Sequence, residues 1–162
     1  MNYGAIAWTV PGPPVGAARP RVVKGGQHTY MPDRHTAWEA ACIYRAQQAF
    51  PGMFHPHFTA AVAVEIVAWQ SRPKRLRRRA DPRETIASTS KPDADNIAKL
   101  VMDAATKAGV WRDDTAVADL RVRRRYLPID ATGQDVGLER VEVTVYALDD
   151  SGERAGLREL RP

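Results

Sequence analysis

The alternation of hydrophobic and polar residues predicts four strands. It is clearest over Thr59 to Trp69, where Val62, Val64 and Ile66 fall on one face with the period of two that is typical of a strand. Shorter versions of the same pattern occur in three other segments, namely Ala5 to Val10, Thr115 to Leu127 and Leu138 to Leu148.

Two further segments have the 3.6-residue period of a helix. The first, Thr36 to Phe50, is rich in alanine and is followed by the helix stop Pro51-Gly52. The second runs from Pro92 to Ala108, and Gly109 is a natural end for it. Its apolar stripe consists of Ile97, Leu100, Val101, Ala104 and Ala108. Two main helices and about four mostly antiparallel strands, without strict βαβ alternation, predict a single compact α+β domain.

The domain is predicted to span residues 1–150, with a charged C-terminal tail over 151–162. Between the third predicted element and the second helix, residues 70–90 are predicted to form a long loop. The loop is the most basic stretch of the chain, and its candidate DNA-binding residues are Arg72, Lys74, Arg75, Arg77, Arg78 and Arg79. A run of this kind is either a solvated segment or a phosphate-binding surface, and the sequence supports both interpretations equally.

Composition favours an anionic partner. The formal charge is +5 and the pI is about 9.7, which is typical of nucleic-acid binding. A GC-rich genome would explain arginine in place of lysine, but not the excess of bases over acids. The single Cys42 excludes an internal disulfide and is expected to be a core residue. Because neither a signal peptide nor a membrane span is recognisable, we expect a cytoplasmic protein.

Acidic residues are concentrated in and after the second predicted helix. At 100° per residue Asp95, Lys99 and Asp103 share an arc of about 80°, opposite the apolar stripe. Asp93 precedes them, and Asp113-Asp114 follow the helix. Clustered carboxylates in a basic protein favour Mg²⁺ or Mn²⁺ held against a polyanion, and Lys99 could restrain a carboxylate or contact a phosphate.

Each of these residues also has a structural interpretation. Asp93 or Asp95, taken singly, would more often cap the helix or interact with its dipole. Asp95 and Lys99 could form an ordinary i,i+4 pair, and Asp113-Asp114 could belong to a simple turn. Only the combination of all of them indicates a metal site.

The same residues resemble a known family. The stretch K-P-D-A-D-N-I-A-K-L-V-M-D-A from Lys91, followed by G-V-W-R-D-D-T-A-V, is similar to the RusA family of Holliday junction resolvases. Val10-Pro11-Gly12-Pro13-Pro14 and Arg19-Pro20-Arg21 resemble the family's N-terminal pattern. The resemblance implies metal ligands at Asp93, Asp95 and Asp114, a functional lysine at Lys99, and less certain ligands at Asp113 and Asp103.

The resemblance further implies a Mg²⁺-dependent homodimeric endonuclease of phage or bacterial origin that nicks four-way DNA junctions in pairs, in recombination, repair or phage DNA processing. A C2 dimer would present two copies of one site to the two strands. One face of a predicted strand carries Arg121, Arg123 and Arg125. These arginines either contact a phosphate backbone or protect an exposed edge strand by their charge. Two alternatives stay open: a non-catalytic junction-binding protein, and a metal nuclease that acts on other branched DNA.

Overall fold

A five-stranded mixed sheet forms the centre of the protein. The computed structural model describes residues 5–22, 29–50 and 58–154. The strand order in the sheet is β1-β7-β4-β6-β5, and β2 and β3 form a separate small sheet. The strands are β1 (Ala5–Pro11), β2 (Arg21–Val22), β3 (Thr29–Tyr30), β4 (Val62–Gln70), β5 (Ile86–Ala87), β6 (Val117–Tyr126) and β7 (Arg140–Ala147).

Two helices, α1 (Asp33–Ala49) and α2 (Ala94–Ala108), pack on one face of this sheet. Alternate residues of β1, β4 and β7 are buried beneath them, as the period of a strand with one covered face requires. The stripe of α2 that faces this core is the predicted one, and Gly109 ends the helix with a φ of 80°, a backbone conformation that glycine adopts without strain.

One pairing in the sheet is parallel. β4 and β6 run side by side in the same direction, whereas β1–β7, β4–β7 and β5–β6 are antiparallel. Parallel strands end at the same edge of a sheet. The segments that follow β4 and β6 therefore lie together there, and the Leu127 N–H donates to the Gln70 carbonyl at 2.9 Å.

The predicted α+β class, the four long strands and the two helices are confirmed. Residues 70–90 were predicted to be one long loop, but they contain a 3-10 turn at Lys74–Leu76 and the short strand β5. The predicted helix stop at Pro51-Gly52 lies outside the described residues. Cys42 is buried in the core as expected, and burial raises the pKa of its thiol to about 11.

The first residues of the predicted tail pack onto the sheet. A turn follows β7 and brings the guanidinium of Arg154 to the carboxylate of Glu65 and over the ring of Tyr146. Residues 155–162 lie outside the described residues. Among the helices that are described, none has the length and apolar character needed to span a membrane.

Candidate active site

The N-terminus of α2 presents two exposed carboxylates. Asp93 occupies the N-cap position with an extended backbone, yet its side chain makes no capping hydrogen bond. Asp95 lies in the first turn and is also exposed. The interpretation of Asp93 as an ordinary cap is therefore wrong, because a capping side chain accepts a hydrogen bond from the first turn.

The predicted polar face of α2 is confirmed. Asp95, Lys99 and Asp103 are all exposed, opposite the buried stripe. Among the residues that the structure describes, nothing forms a hydrogen bond or an ion pair with these three side chains. The i,i+4 pair of Asp95 and Lys99 is thus not formed, and the charges of this face remain available to a ligand.

Asp113 and Asp114 belong to the turn after α2. Asp113 caps the 3-10 turn Asp114–Ala116, since its Oδ1 accepts a hydrogen bond from the Thr115 N–H at 2.9 Å. Hydrogen bonds from the backbone and the side chain of Thr115 hold the pKa of Asp113 below its ordinary value. Asp114 is exposed in the same turn. Asp113 therefore has a structural role that Asp93 and Asp95 lack.

These carboxylates do not form a preassembled metal cage. Within residues 5–22, 29–50 and 58–154, no group of three or more His, Cys, Asp or Glu side chains is arranged to hold a metal ion. Mg²⁺, however, is usually bound through one or two carboxylates, with waters and substrate phosphates as its remaining ligands. The unengaged carboxylates of Asp93 and Asp95 fit this requirement as a donor set.

The segment that leads into α2 is fixed to the sheet by polar side chains that no pattern in the sequence predicts. At the end of β4, the Gln70 Nε2 donates to the Lys91 carbonyl at 2.8 Å. The Gln70 Oε1 accepts a hydrogen bond from the Ser88 hydroxyl at 2.5 Å. Both Gln70 and Ser88 are buried. This pair holds the chain just before Asp93.

β6 holds the same segment from its other side. The Tyr126 hydroxyl lies 2.5 Å from the Ser90 Oγ, and the Arg124 Nη1 donates to the carbonyls of Ser90 and Pro92 at 2.8 and 3.2 Å. Burial acts to raise the pKa of Tyr126, but hydrogen bonds with Ser90, Ser88 and Thr89 outweigh it and lower the pKa to about 8. The position of Asp93 is therefore set by β4 and β6 together.

The Arg124 side chain lies on the opposite face of β6 from Arg121, Arg123 and Arg125, because successive residues of a strand alternate between its two faces. Arg121 and Arg123 are paired in register with Glu65 and Val67, on the sheet face away from the helices, and their charges help to lower the pKa of Glu65. β5 covers only the last residues of β6. Most of β6 is thus a charged edge strand, in agreement with the edge interpretation.

A cleft of about 490 Å³ opens beside Asp93, between the loop after β1 and the start of α2. The loop lies close to the helix, since the Ala17 N–H donates to the Asn96 carbonyl at 2.8 Å. A Cβ added to Gly16 would lie 2.9 Å from the Cβ of Pro92, so only glycine permits this approach. The charged side chains around the cleft belong to Arg34, Lys91, Asp93 and Glu139.

Two of the predicted DNA-binding residues serve the scaffold instead. Arg72 is 1% exposed, and its guanidinium donates to the carbonyls of Leu127, Pro82 and Glu84. Arg77 pairs with Asp135 at 2.6 Å, and its side chain is 23% exposed. The prediction that Arg72 contacts DNA is corrected, because its donors are used inside the protein. Arg77 is half-buried and has the same structural task.

The remaining candidates of the loop are exposed: Lys74, Arg75, Arg78 and Arg79. Trp111, which precedes the acidic pair in the sequence, is 1% exposed, and its Nε1 donates to the Thr106 hydroxyl at 2.8 Å. It is therefore a core residue and has no free ring face for a base.

Comparisons of the sequence with known proteins found one matching family and several relatives. The family model described as Endodeoxyribonuclease RusA matches residues 11–146. The uncharacterized protein YqaN of Bacillus subtilis (strain 168) is 29% identical over 128 residues, which cover 75% of this chain and 87% of that protein. Crossover junction endodeoxyribonuclease RusA of Escherichia coli O139:H28 is 40% identical over 58 residues, 36% of this chain and 42% of that protein. The corresponding protein of Escherichia coli K12 is 39% identical over 56 residues, 35% and 40% of the two chains, so each of these two alignments spans less than half of the relative.

Proposed function

Because this chain belongs to the RusA family of endodeoxyribonucleases, we propose that it is a Mg²⁺-dependent endonuclease that resolves four-way DNA junctions by paired nicks. The observation that carries the proposal is the set of unengaged carboxylates at the start of α2, on a segment fixed by Gln70, Arg124 and Tyr126. An exposed charge on a rigidly held segment is preorganised for a ligand.

In this proposal Asp93 and Asp95 hold the ion, together with Asp114 and, with smaller contributions, Asp113 and Asp103. Mn²⁺ is expected to substitute, since it accepts the same oxygen ligands. When bound, such an ion supplies positive charge against the phosphate and lowers the pKa of water. The carboxylates of this chain fix where that charge lies.

Lys99 supplies a compact positive charge on the same helix face, one turn after Asp95. Its side chain is exposed, and no residue in the described part of the chain pairs with it. We assign it a point contact with the phosphate that is cut, for which an ammonium is suited. Neutralising charge there lowers the cost of the developing negative charge.

DNA is the proposed partner, and a homodimer the proposed assembly. The formal charge of +5 and the exposed Lys74, Arg75, Arg78 and Arg79 support binding to the phosphate backbone. Two copies related by a two-fold axis would bring two identical sites to symmetric positions of a junction. The biological setting would be recombination, repair or phage DNA processing.

The decisive experiment is the incubation of a labelled four-way junction with the protein in Mg²⁺. We expect paired nicks, which disappear with a chelator and in Asp95→Asn. Asp33→Asn is the matched control, because Asp33 is likewise an acid in the first turn of a helix, so both changes remove the same interaction with a helix dipole. Wild-type protein that binds junctions but does not cut them in Mg²⁺ or Mn²⁺ contradicts the enzymatic proposal and supports a non-catalytic binding protein.

The substrate class is tested by comparing four-way junctions with flaps, forks, duplex and single-stranded DNA. A resolvase cuts the four-way junction in preference to the others. Equal or faster cutting of flaps or forks would replace the resolvase by a nuclease for other branched DNA, and the proposed roles of Asp93, Asp95 and Lys99 would stay the same.

A further inference from the structure

An arginine-lined pocket lies at the sheet edge where β4 and β6 end. Its volume is about 210 Å³, and its lining includes Arg77, Arg78, Arg79 and Arg83 together with the turn 131–133. The loop after β4 supplies the arginines, and the link after β6 supplies the turn. The parallel pairing of these strands brings the two segments together.

Two of the four arginines form the walls. The Arg77 Nη1 donates to the Gly133 carbonyl at 3.1 Å, and its Nη2 pairs with Asp135. The Arg83 Nη1 donates to the Asp130 carbonyl. A Cβ added to Gly133, whose φ is 82°, would lie 3.1 Å from the Arg77 carbonyl oxygen. The pocket thus has a fixed shape that depends on close backbone approach.

The acidic side chains nearby are already engaged. The Asp130 Oδ1 accepts hydrogen bonds from the Thr132 hydroxyl and from the N–H groups of Thr132 and Gln134, which lower the pKa of Asp130. The Asp81 Oδ2 accepts from the Arg78 N–H at 2.6 Å. Asp135 is paired with Arg77.

The guanidinium groups of Arg78 and Arg79 are not engaged in this way. Both residues are exposed, and among the described residues neither side chain has a hydrogen-bond or ion-pair partner. Two guanidinium groups without partners therefore lie beside two that are fixed, and they leave N–H donors available at the pocket. Planar N–H donors of this kind match the oxygens of a phosphate.

We propose that this pocket binds one phosphodiester of the DNA backbone at a position other than the bond that is cut. The proposal rests on the proposed function and deepens it, because it replaces a general basic surface by one defined site. Gln70, at the end of β4, links the two regions. Its side chain donates to the Lys91 carbonyl, two residues before Asp93. Its own carbonyl accepts from the N–H of Leu127, two residues before the pocket residue Ile129. A phosphate held in the pocket would therefore set the direction of a strand that passes the carboxylates.

The test compares two double variants that remove the same charge from the same loop. Arg78→Gln/Arg79→Gln changes the pocket, whereas Lys74→Gln/Arg75→Gln changes exposed residues that do not line it. We measure junction binding in a chelator as a function of salt, after checking that the unfolding midpoints are unchanged. The pocket variant should lose about 10-fold to 100-fold in affinity and about one unit of salt slope. The control variant removes two charges of the same basic loop that do not line the pocket, so it should lose only about threefold in affinity, through the weaker general attraction to the phosphate backbone.

Substituted junctions identify the bound phosphate. Neutral methylphosphonates are placed one at a time along each strand. One position away from the cut should weaken binding by the wild type and cause no additional loss in the pocket variant. If no position behaves in this way, or if the two double variants lose affinity equally, the pocket proposal is wrong.

The two proposals fail in different ways. A wild type that neither binds nor cuts DNA overturns both. A wild type that cuts junctions while its two double variants behave alike overturns only the pocket. Thermal unfolding in inorganic phosphate distinguishes a DNA phosphate from a free phosphate as the ligand. If phosphate stabilises the wild type but not the pocket variant, and the two bind DNA equally well, the pocket binds free phosphate and the DNA proposal is wrong.

Discussion

The start of α2 and the loop over residues 71–90 are both charged and share one edge of the sheet, but their side chains have different surroundings. Asp93, Asp95 and Lys99 have no partners within the described residues. In the loop, Arg72 is buried among carbonyls and Arg77 is paired with Asp135. A charge whose hydrogen-bonding capacity is used internally stabilises the fold. A charge that is left unengaged on a fixed segment is available for a substrate.

The largest expected effect comes from Asp93→Ala. It should lower the cleavage rate roughly 10³-fold, about 4 kcal/mol in activation free energy, because a proposed metal ligand is lost. The free energy of unfolding should fall by only a few tenths of a kcal/mol, from the lost interaction with the helix dipole, since no capping hydrogen bond is broken. Asp113→Ala is the matched control for stability: it removes a carboxylate that does cap and should cost about 1 kcal/mol. Cleavage assays and urea unfolding of both variants measure the two quantities.

A loss of about 1 kcal/mol in the stability of Asp93→Ala, with cleavage retained, would reverse the comparison. Asp93 would then be a cap like Asp113, and the acidic face of α2 would no longer differ from the engaged charges elsewhere.

The next effect is on stability alone. Arg72→Met should lower the free energy of unfolding by about 3 kcal/mol, because the hydrogen bonds from a buried charged donor to three backbone carbonyls are lost. Arg75→Met, at an exposed position of the same loop, should change stability by about 0.5 kcal/mol or less. Urea midpoints decide the matter. Equal midpoints for the two variants would show that the loop is a solvated segment after all.

The elements of this fold could be predicted because each one follows from a local pattern. The alternating burial of β4 and the apolar stripe of α2 depend only on which face meets the core. The polar face of α2 could be predicted from the same geometry. Such predictions require no knowledge of which elements are neighbours.

The roles of Arg72 and Arg77 could not be predicted in this way. The partners of Arg72 are the backbone carbonyls of Pro82, Glu84 and Leu127. Because every residue has a backbone carbonyl, the sequence does not show which ones accept these hydrogen bonds. Asp135 meets Arg77 only because β4 and β6 are parallel. The arginine run therefore suggests one surface, although Arg72 is buried and Arg77 is held by an ion pair with Asp135.

A smaller effect is expected at the support of α2. Tyr126→Phe removes the hydroxyl that contacts Ser90 and should cost about 1 kcal/mol of stability. Because the segment before Asp93 is then less firmly held, kcat should fall about fivefold, which corresponds to 1 kcal/mol, while KM stays constant. Ser90→Ala in the same background should add little if the two hydroxyls act only through each other. A change in KM alone would indicate instead that Tyr126 contacts DNA.

The smallest effect concerns Glu65, an engaged carboxylate on the sheet face away from the helices. The hydrogen bond from Arg154 lowers the pKa of Glu65 below its ordinary value of 4.5, so the folded state binds this proton less readily than the unfolded state. The resulting stability is complete above pH 4.5 and is lost as the pH falls through the lower pKa of the folded state. Glu65→Gln should therefore destabilise the protein at pH 7 by a few tenths of a kcal/mol, about the value of a partly exposed pair, and this difference should vanish in acid. Glu84→Gln is the control, at an exposed residue that forms no ion pair within the described part of the chain. The stability of both variants is measured as a function of pH. If the two curves are the same, the ion pair with Arg154 does not set Glu65 apart from carboxylates without a partner, such as those of α2.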